Sequence, residues 1–413
     1  MRRVISRMKT RNLSRSALGK RSGARLFGLE HTRLMVDEMF GADLHLARVR
    51  SLANGVAGVL NASLASIAAV GRAYAALARI ERKSGVKQVD RLLSNDGVAL
   101  REVMPLWICH VVGDTPKIVV AMDWTDFDDD DHTTLCVSLM TTHGRATPLA
   151  WKTVKKSKLK RRRTGYELKM VKDLHEWLPE HVSVEWLADR AFGYRELYEL
   201  LGSYGWEYTI RFRENIKIYE GDDCSLPASA YVPANGRVRK LVAPQVTHQR
   251  FKLPAAVFVK RKGMKDAWCL ATSRVDADAD DIVRAYSKRF TIEETFRDTK
   301  DVTFGLGLRA THIRDADRRD RLLLLIAIAQ TLLTLLGAAS EASGLDRTLK
   351  TNTSKRRTMS LLNQGIEWYG DLSRGLMREE RAQLLLHHYE KILRDHKFLA
   401  QILLFDSTVQ VQK

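Results

Sequence analysis

Between residues 117 and 212 the chain alternates in an order that few architectures accept. KIVVAMDW (117–124) is an apolar, β-branched run of the kind found in buried strands. HTTLCVSLMTT and GRATPLAWKTV follow as two further strands, turned at His143-Gly144. Helix and strand then alternate: YELKMVKDLHEWL (166–178) is helical, VSVEWLAD (182–189) extended, YRELYELLGSYG helical and WEYTIRF extended. Such an order predicts an α/β fold, a mixed sheet flanked by helices. Residues 212–275 carry short β-like runs separated by EGDD, PANG and KRKG, and read as a β-rich insertion. The expected division is a basic arm at 1–34, a helical region at 35–105, the α/β region at 106–305 and a helical region at 306–413.

Charge narrows the partners. The 413 residues hold 68 Lys and Arg against 49 Asp and Glu, a net charge of +19 that favours a polyanion, nucleic acid before a membrane surface. Residues 1–34 contain ten cations and one acid, Glu30, and KTVKKSKLKRRR (152–163) contains eight in twelve. Each run reads either as a solubilising arm or as a phosphate contact, and two runs in one chain favour the second. Four widely spaced cysteines (Cys109, Cys136, Cys224, Cys269) form no metal motif and no disulfide framework, which points to the cytoplasm. The basic N-terminus leads into no apolar segment of the secretory kind. LLLLIAIAQTLLTLLGAAS (322–340) approaches the length of a membrane span, but Gln330, Thr331 and Thr334 interrupt it and DADRRDR precedes it, so it reads as a buried core helix.

In the helical region, the stretch around VKQVDRLLSN suggests short helices and tight turns. Val86, Val89 and Leu93 share one face while Lys87 and Arg91 share another. A helix-turn-helix-like DNA module and a small helical bundle both fit.

YSKRFTIEETFRDTK (286–300) is the most charged of the candidate helices. On one continuous helix Tyr286, Arg289, Arg297 and Lys300 lie within about 40° of Glu293, whereas Glu294 points about 100° away and Asp298 about 140°. Alone, the stripe is also what a solvated face laced with Arg289–Glu293 and Glu293–Arg297 pairs would give. A carboxylate among cations that can grip phosphate suits metal-assisted work on nucleic acid, and that chemistry needs further hard oxygen ligands. Asp123, ending KIVVAMD, and Asp189, ending VSVEWLAD, are the strand-end acids that could supply them.

With both aspartates in place, the chain resembles the DDE transposases of the insertion-sequence-four family, in its insertion-sequence-ten-like branch. The motif Tyr-(2)-Arg-(3)-Glu-(6)-Lys is met at Tyr286, Arg289, Glu293 and Lys300; DWTD (123–126) and LADRAFG (187–193) resemble the two aspartate motifs. VDRLLSN, AWCLATS, FGLGLR, RLLLLIA and NTSKRRT extend the likeness over nearly everything beyond about residue 40. The resemblance implies an RNase H-like core in which Asp123 and Asp189 sit together on adjacent strands and Glu293 completes a catalytic, metal-binding triad after the β-rich insertion. It implies two Mg²⁺ ions, with Mn²⁺ as a substitute. Tyr286, Arg289 and Lys300 would hold phosphates and Trp268 of AWCLATS would stack on a flipped base; the base-free alternative for Trp268 is a core strand residue. Arg297, Lys87 and Arg91 are further DNA-contact candidates. The implied partners are double-stranded DNA (terminal inverted repeats and target) and a second copy of the chain in the synaptic complex, in the cytoplasm and without a membrane. A domesticated DNA-binding regulator and an RNase H-like nuclease without strand transfer are the rival readings. The acidic run DFDDDDH (126–132) departs from the family pattern and reads as a solvated turn.

Overall fold

The computed structural model describes residues 28–395 except 63, 142–143, 221–223, 301–306, 309–310, 352 and 355–356. The arm up to residue 27, the His143 turn, and parts of EGDD, FGLGLR and NTSKRRT lie outside the described residues. Helix α1 (Leu29–Phe40) crosses the boundary expected at residue 34, and α2 (Leu46–Asn61), α3 (Ile67–Ala78), α4 (Arg82–Leu93) and α5 (Leu100–Val112) follow. Ser66 caps α3, its side chain accepting from the Ala69 amide.

The large sheet begins with β1 (Lys117–Phe127), β2 (His132–Leu139) and β3 (Thr147–Lys155), then β4 (Ser183–Ala188) and β5 (Glu207–Phe212), with α6 (Arg163–Trp177) and α7 (Arg195–Ser203) between them. β1, β2 and β3 pair antiparallel, and β4 lies parallel to both β1 and β5. Residues 212–275 contain strands and no α-helix among the described residues. They do not all form a separate lobe. β8 (Arg239–Val242), β11 (Ala255–Val259) and β12 (Trp268–Thr272) continue the large sheet, in the order β3-β2-β1-β4-β5-β12-β11-β8. β6 (Lys217–Glu220), β7 (Cys224–Pro227), β9 (Gln245–Val246) and β10 (Phe251–Lys252) make a small second sheet.

Helices α8 (Ala279–Ser287), α9 (Phe290–Lys300), α10 (Ala316–Ala342), α11 (Leu361–Arg374) and α12 (Glu379–Asp395) complete the described chain. α10 is long and apolar enough to cross a membrane, yet 89% of its apolar window is buried inside the protein, against α2, β3, α11 and α12. A helix apolar on all sides needs such a surround. The approach of α10 to α11 is close enough to require glycine on both. A Cβ on Gly337 would fall 1.9 Å from the Leu361 carbonyl oxygen, and one on Gly365 would fall 1.8 Å from that of Leu333.

The charged turn preceding this apolar stretch is not a solvated flank. Arg319 is fully buried, pairs with Asp130, donates from Nε to His132 Nδ1 at 3.1 Å and lies 4.2 Å from the Phe127 ring centroid. Asp320, also buried, accepts from the Thr153 amide at 2.8 Å and from Lys152 at 3.2 Å; burial pushes its carboxyl up to about 7. Arg321 donates to the carbonyls of Leu93 and Val98 and to Asp96, and Arg318 pairs with Asp90 of α4 at 2.5 Å. One helical turn thus joins the β1–β2 turn, β3 and the end of α4.

The acidic run is corrected by the same contacts. Asp130 is the buried partner of Arg319, and Asp131 accepts from the Ser157 amide at 2.9 Å. Among the described side chains of the run, Asp129 and Asp131 are exposed, as a solvated turn would have them, although Asp131 is tied to Ser157.

Candidate active site

Asp123 does not end its strand, as the sequence suggested: β1 runs four residues further, to Phe127. What ends there is the neighbour. The β1–β4 ladder stops at Met122–Ala188, and Asp189 turns the chain by accepting from the Ala191 amide at 2.6 Å. Asp123 on β1 and Asp189, just past the end of β4, therefore each lie one residue beyond the last paired positions of two adjacent parallel strands. Near-parallel neighbours of this kind lie about 4.8 Å apart in the backbone.

The helix expected at 286–300 is broken. Tyr286 is in α8, Lys288 and Arg289 form a tight turn with bonds from their amides to Ala285 and Tyr286, and Glu293 and Lys300 are in α9. The break turns Arg289 inward. Its Nη1 donates to Asp123 Oδ2 at 3.1 Å and its Nη2 to Glu293 Oε1 at 2.6 Å, so one buried guanidinium bridges the sheet acid and the helix acid. Burial pushes the Asp123 carboxyl up to about 6 against the pull of Arg289, and Asp189 and Glu293 both push the same way. All three acids thus act on one place.

The remaining candidates divide. Tyr286 is buried rather than on a polar stripe; Trp268 meets its ring edge-on at 5.0 Å and stacks on Phe290 at 5.7 Å. Trp268 is only partly buried, and Phe290, with Arg289 4.8 Å from its ring centroid, is 40% exposed, so aromatic surface remains accessible beside the site. Lys300 donates to the Asp126 carbonyl at 2.8 Å and sits 4.9 Å from the Phe127 ring centroid. Arg297 pairs with Glu294 and not with Glu293, because the i,i+3 neighbour is nearer than the i−4 one that Arg289 already holds. Lys87 and Arg91 are exposed on α4, far along the chain from this centre, while Val89 and Leu93 are buried on its other side.

Glu167 of α6 was missed. It is buried, accepts from Trp124 Nε1 at 2.7 Å and from the Tyr194 hydroxyl at 2.8 Å, and so braces the residue after Asp123 to the loop after Asp189. The signal was available: Glu167 lies on the buried stripe of Met170, Val171 and Leu174, an acid at three-, four- and seven-residue spacing from apolar partners. Glu167→Ala leaves two partly buried donors without their acceptor and should cost about 1 kcal/mol or more in chemical denaturation, with Glu167→Gln costing less because it keeps an acceptor.

The oxygen donors have the hardness that Mg²⁺ requires, and a carboxyl held up by burial and like charge gains from a nearby cation. As arranged, no group of three or more His, Cys, Asp or Glu side chains among the described residues stands ready to hold an ion. Arg289 fills the gap instead. The donor chemistry suits a divalent metal, while in this arrangement Arg289 bridges two of the carboxylates.

Residues 153–332 match the family model of the transposase DDE domain. That match supports a DDE transposase, an enzyme acting on DNA, and the mixed sheet flanked by helices is consistent with its domain. The matched segment holds Asp189 and Glu293 and begins after Asp123. No curated protein matches the chain.

Proposed function

We propose that the chain is a cut-and-paste transposase of the insertion-sequence-four family, ten-like branch. It binds terminal inverted repeats, cleaves each end through a hairpin and joins the freed 3′-OH ends to target DNA. The observation that carries this reading is that Asp123 and Glu293 meet on Arg289, with Asp189 close enough to raise the Asp123 carboxyl. The β3-β2-β1-β4-β5 order, with β4 and β5 parallel to β1, supports an RNase H-like core. The proposed setting is the bacterial cytoplasm, on the nucleoid, with two copies of the chain pairing the DNA ends.

In this reading Asp123, Asp189 and Glu293 would hold two Mg²⁺ ions, which would supply charge to polarise the scissile phosphate and the attacking oxygen. Arg289 holds the carboxylates apart in the free protein and turns to a phosphate when DNA arrives. Lys300 secures the end of β1 against α9, and Tyr286 packs the wall that carries Trp268. Trp268 and Phe290 offer π-faces to a base that leaves the stack. Trp268→Ala should slow hairpin formation about five- to a hundredfold more than first nicking, from lost base stacking of roughly 1–3 kcal/mol. Equal slowing in a gel time course would return Trp268 to a packing role.

The deciding experiment is plasmid excision and insertion with purified protein and Mg²⁺. Excision with insertion supports the transposase, cleavage without joining the nuclease, and end binding with neither the regulator.

A further inference from the structure

The basic run at 152–163 is a built surface. Lys152 leaves it to pair with Asp317 and Asp320. The rest forms the turn from β3 into α6, and the acidic run described above holds that turn in place. Asp131, itself in the left-handed region at φ 54°, accepts from the Lys156 amide at 2.8 Å through its carbonyl and from Ser157 through its carboxylate. Lys156 Nζ reaches Asp126 at 2.8 Å, and Leu159 is buried beneath. Lys155, Lys158, Lys160, Arg161 and Arg162 all remain exposed, and among the described residues Lys158, Lys160 and Arg162 have no ion-pair partner. Arg163 closes the run 5.3 Å from the Trp124 ring centroid, one residue from Asp123.

Fixing so many like charges in one turn costs electrostatic repulsion, which the Asp126 and Asp131 contacts only partly offset. A solubilising patch needs no such fixing. We propose that the turn at 155–163 is a second surface for the phosphate backbone of duplex DNA, beside the candidate active site and separate from α4. Held cations lose less freedom on binding than a mobile tail does. The partner is nucleic acid rather than a bilayer, because the only large apolar side chain of the turn, Leu159, is buried and nothing is left to insert. The inference rests on the transposase reading for its choice of DNA, but its test does not need catalysis.

The test uses the full chain and a random-sequence duplex, with affinity followed by fluorescence anisotropy across a salt series. In Lys158→Gln/Lys160→Gln/Arg162→Gln the slope of log affinity against log salt should fall by about two to three, each lost phosphate contact removing about 0.9. The charge-keeping variant Lys158→Arg/Lys160→Arg/Arg162→Lys should restore the parent slope. An unchanged slope in the neutralised variant, with its thermal midpoint unchanged, overturns the proposal and leaves a solubilising surface. Failure of excision in the parent protein overturns the transposase reading instead, and the salt slope still reports on the turn.

Discussion

Alanine at Asp123, Asp189 or Glu293 will remove strand cleavage, by at least about a hundredfold, while end binding survives. That is the scale on which one group stabilising a developing charge counts. In the proposed reading each acid contributes through charge at the reacting centre. Asp123 is the most instructive. Its carboxyl is pushed up to about 6 by burial, so in the metal-free protein the folded state favours the protonated form. The sign follows: this group's contribution to stability is greatest below the ordinary aspartate pKa and declines as pH rises through about 6. Asp123→Ala should therefore keep its thermal midpoint at pH 8 while losing cleavage, which separates lost chemistry from lost folding. Glu294→Ala is the matched control. Glu294 pairs with Arg297 and points about 100° away from Glu293 around α9, and near-normal cleavage is expected. A loss there equal to that of Glu293→Ala would move the catalytic role one residue along the helix.

The second large effect is on stability. Arg319→Ala should destabilise the protein by about 3–5 kcal/mol, read by chemical denaturation, because it strands a carboxylate away from water. Asp130 loses its partner, His132 loses a donor and the Phe127 ring loses the guanidinium over its face. Arg319→Lys should recover only part of the loss, since an ammonium cannot meet His132 and Asp130 together in the planar geometry of a guanidinium. A change under about 1 kcal/mol would mean that Asp130 finds water instead.

The strands of the sheet were legible because β-branched runs between turns have few other uses, and β1 through β5 fall where those runs lie. The two aspartates and Glu293 were legible through their spacing and motifs. Three things were not. The end of β1 was hidden because Asp123 looks like a terminator, although what stops beside it is β4. The break at Lys288–Arg289 was hidden because YSKRFTIEE has no proline or glycine to mark it; the turn brings the buried Arg289 guanidinium onto Asp123 and Glu293, which lie apart in the sequence. The fate of DFDDDDH and DADRRDR was hidden most deeply. Periodicity shows which apolar residues go inside, but a charge buried by a distant opposite charge leaves no local pattern. Asp130 and Arg319 are 189 residues apart.

The short stretch 318–321 has a mechanical consequence. Arg318 and Arg321 grip the end of α4, while Arg319 and Asp320 grip the turn and strand next to the acids. If α4 reads a terminal sequence, the reading head and the blade share one rigid mount. The chain then measures its cut by a fixed offset from the letters it recognises, and a few base pairs inserted between them would put the wrong phosphate under the blade.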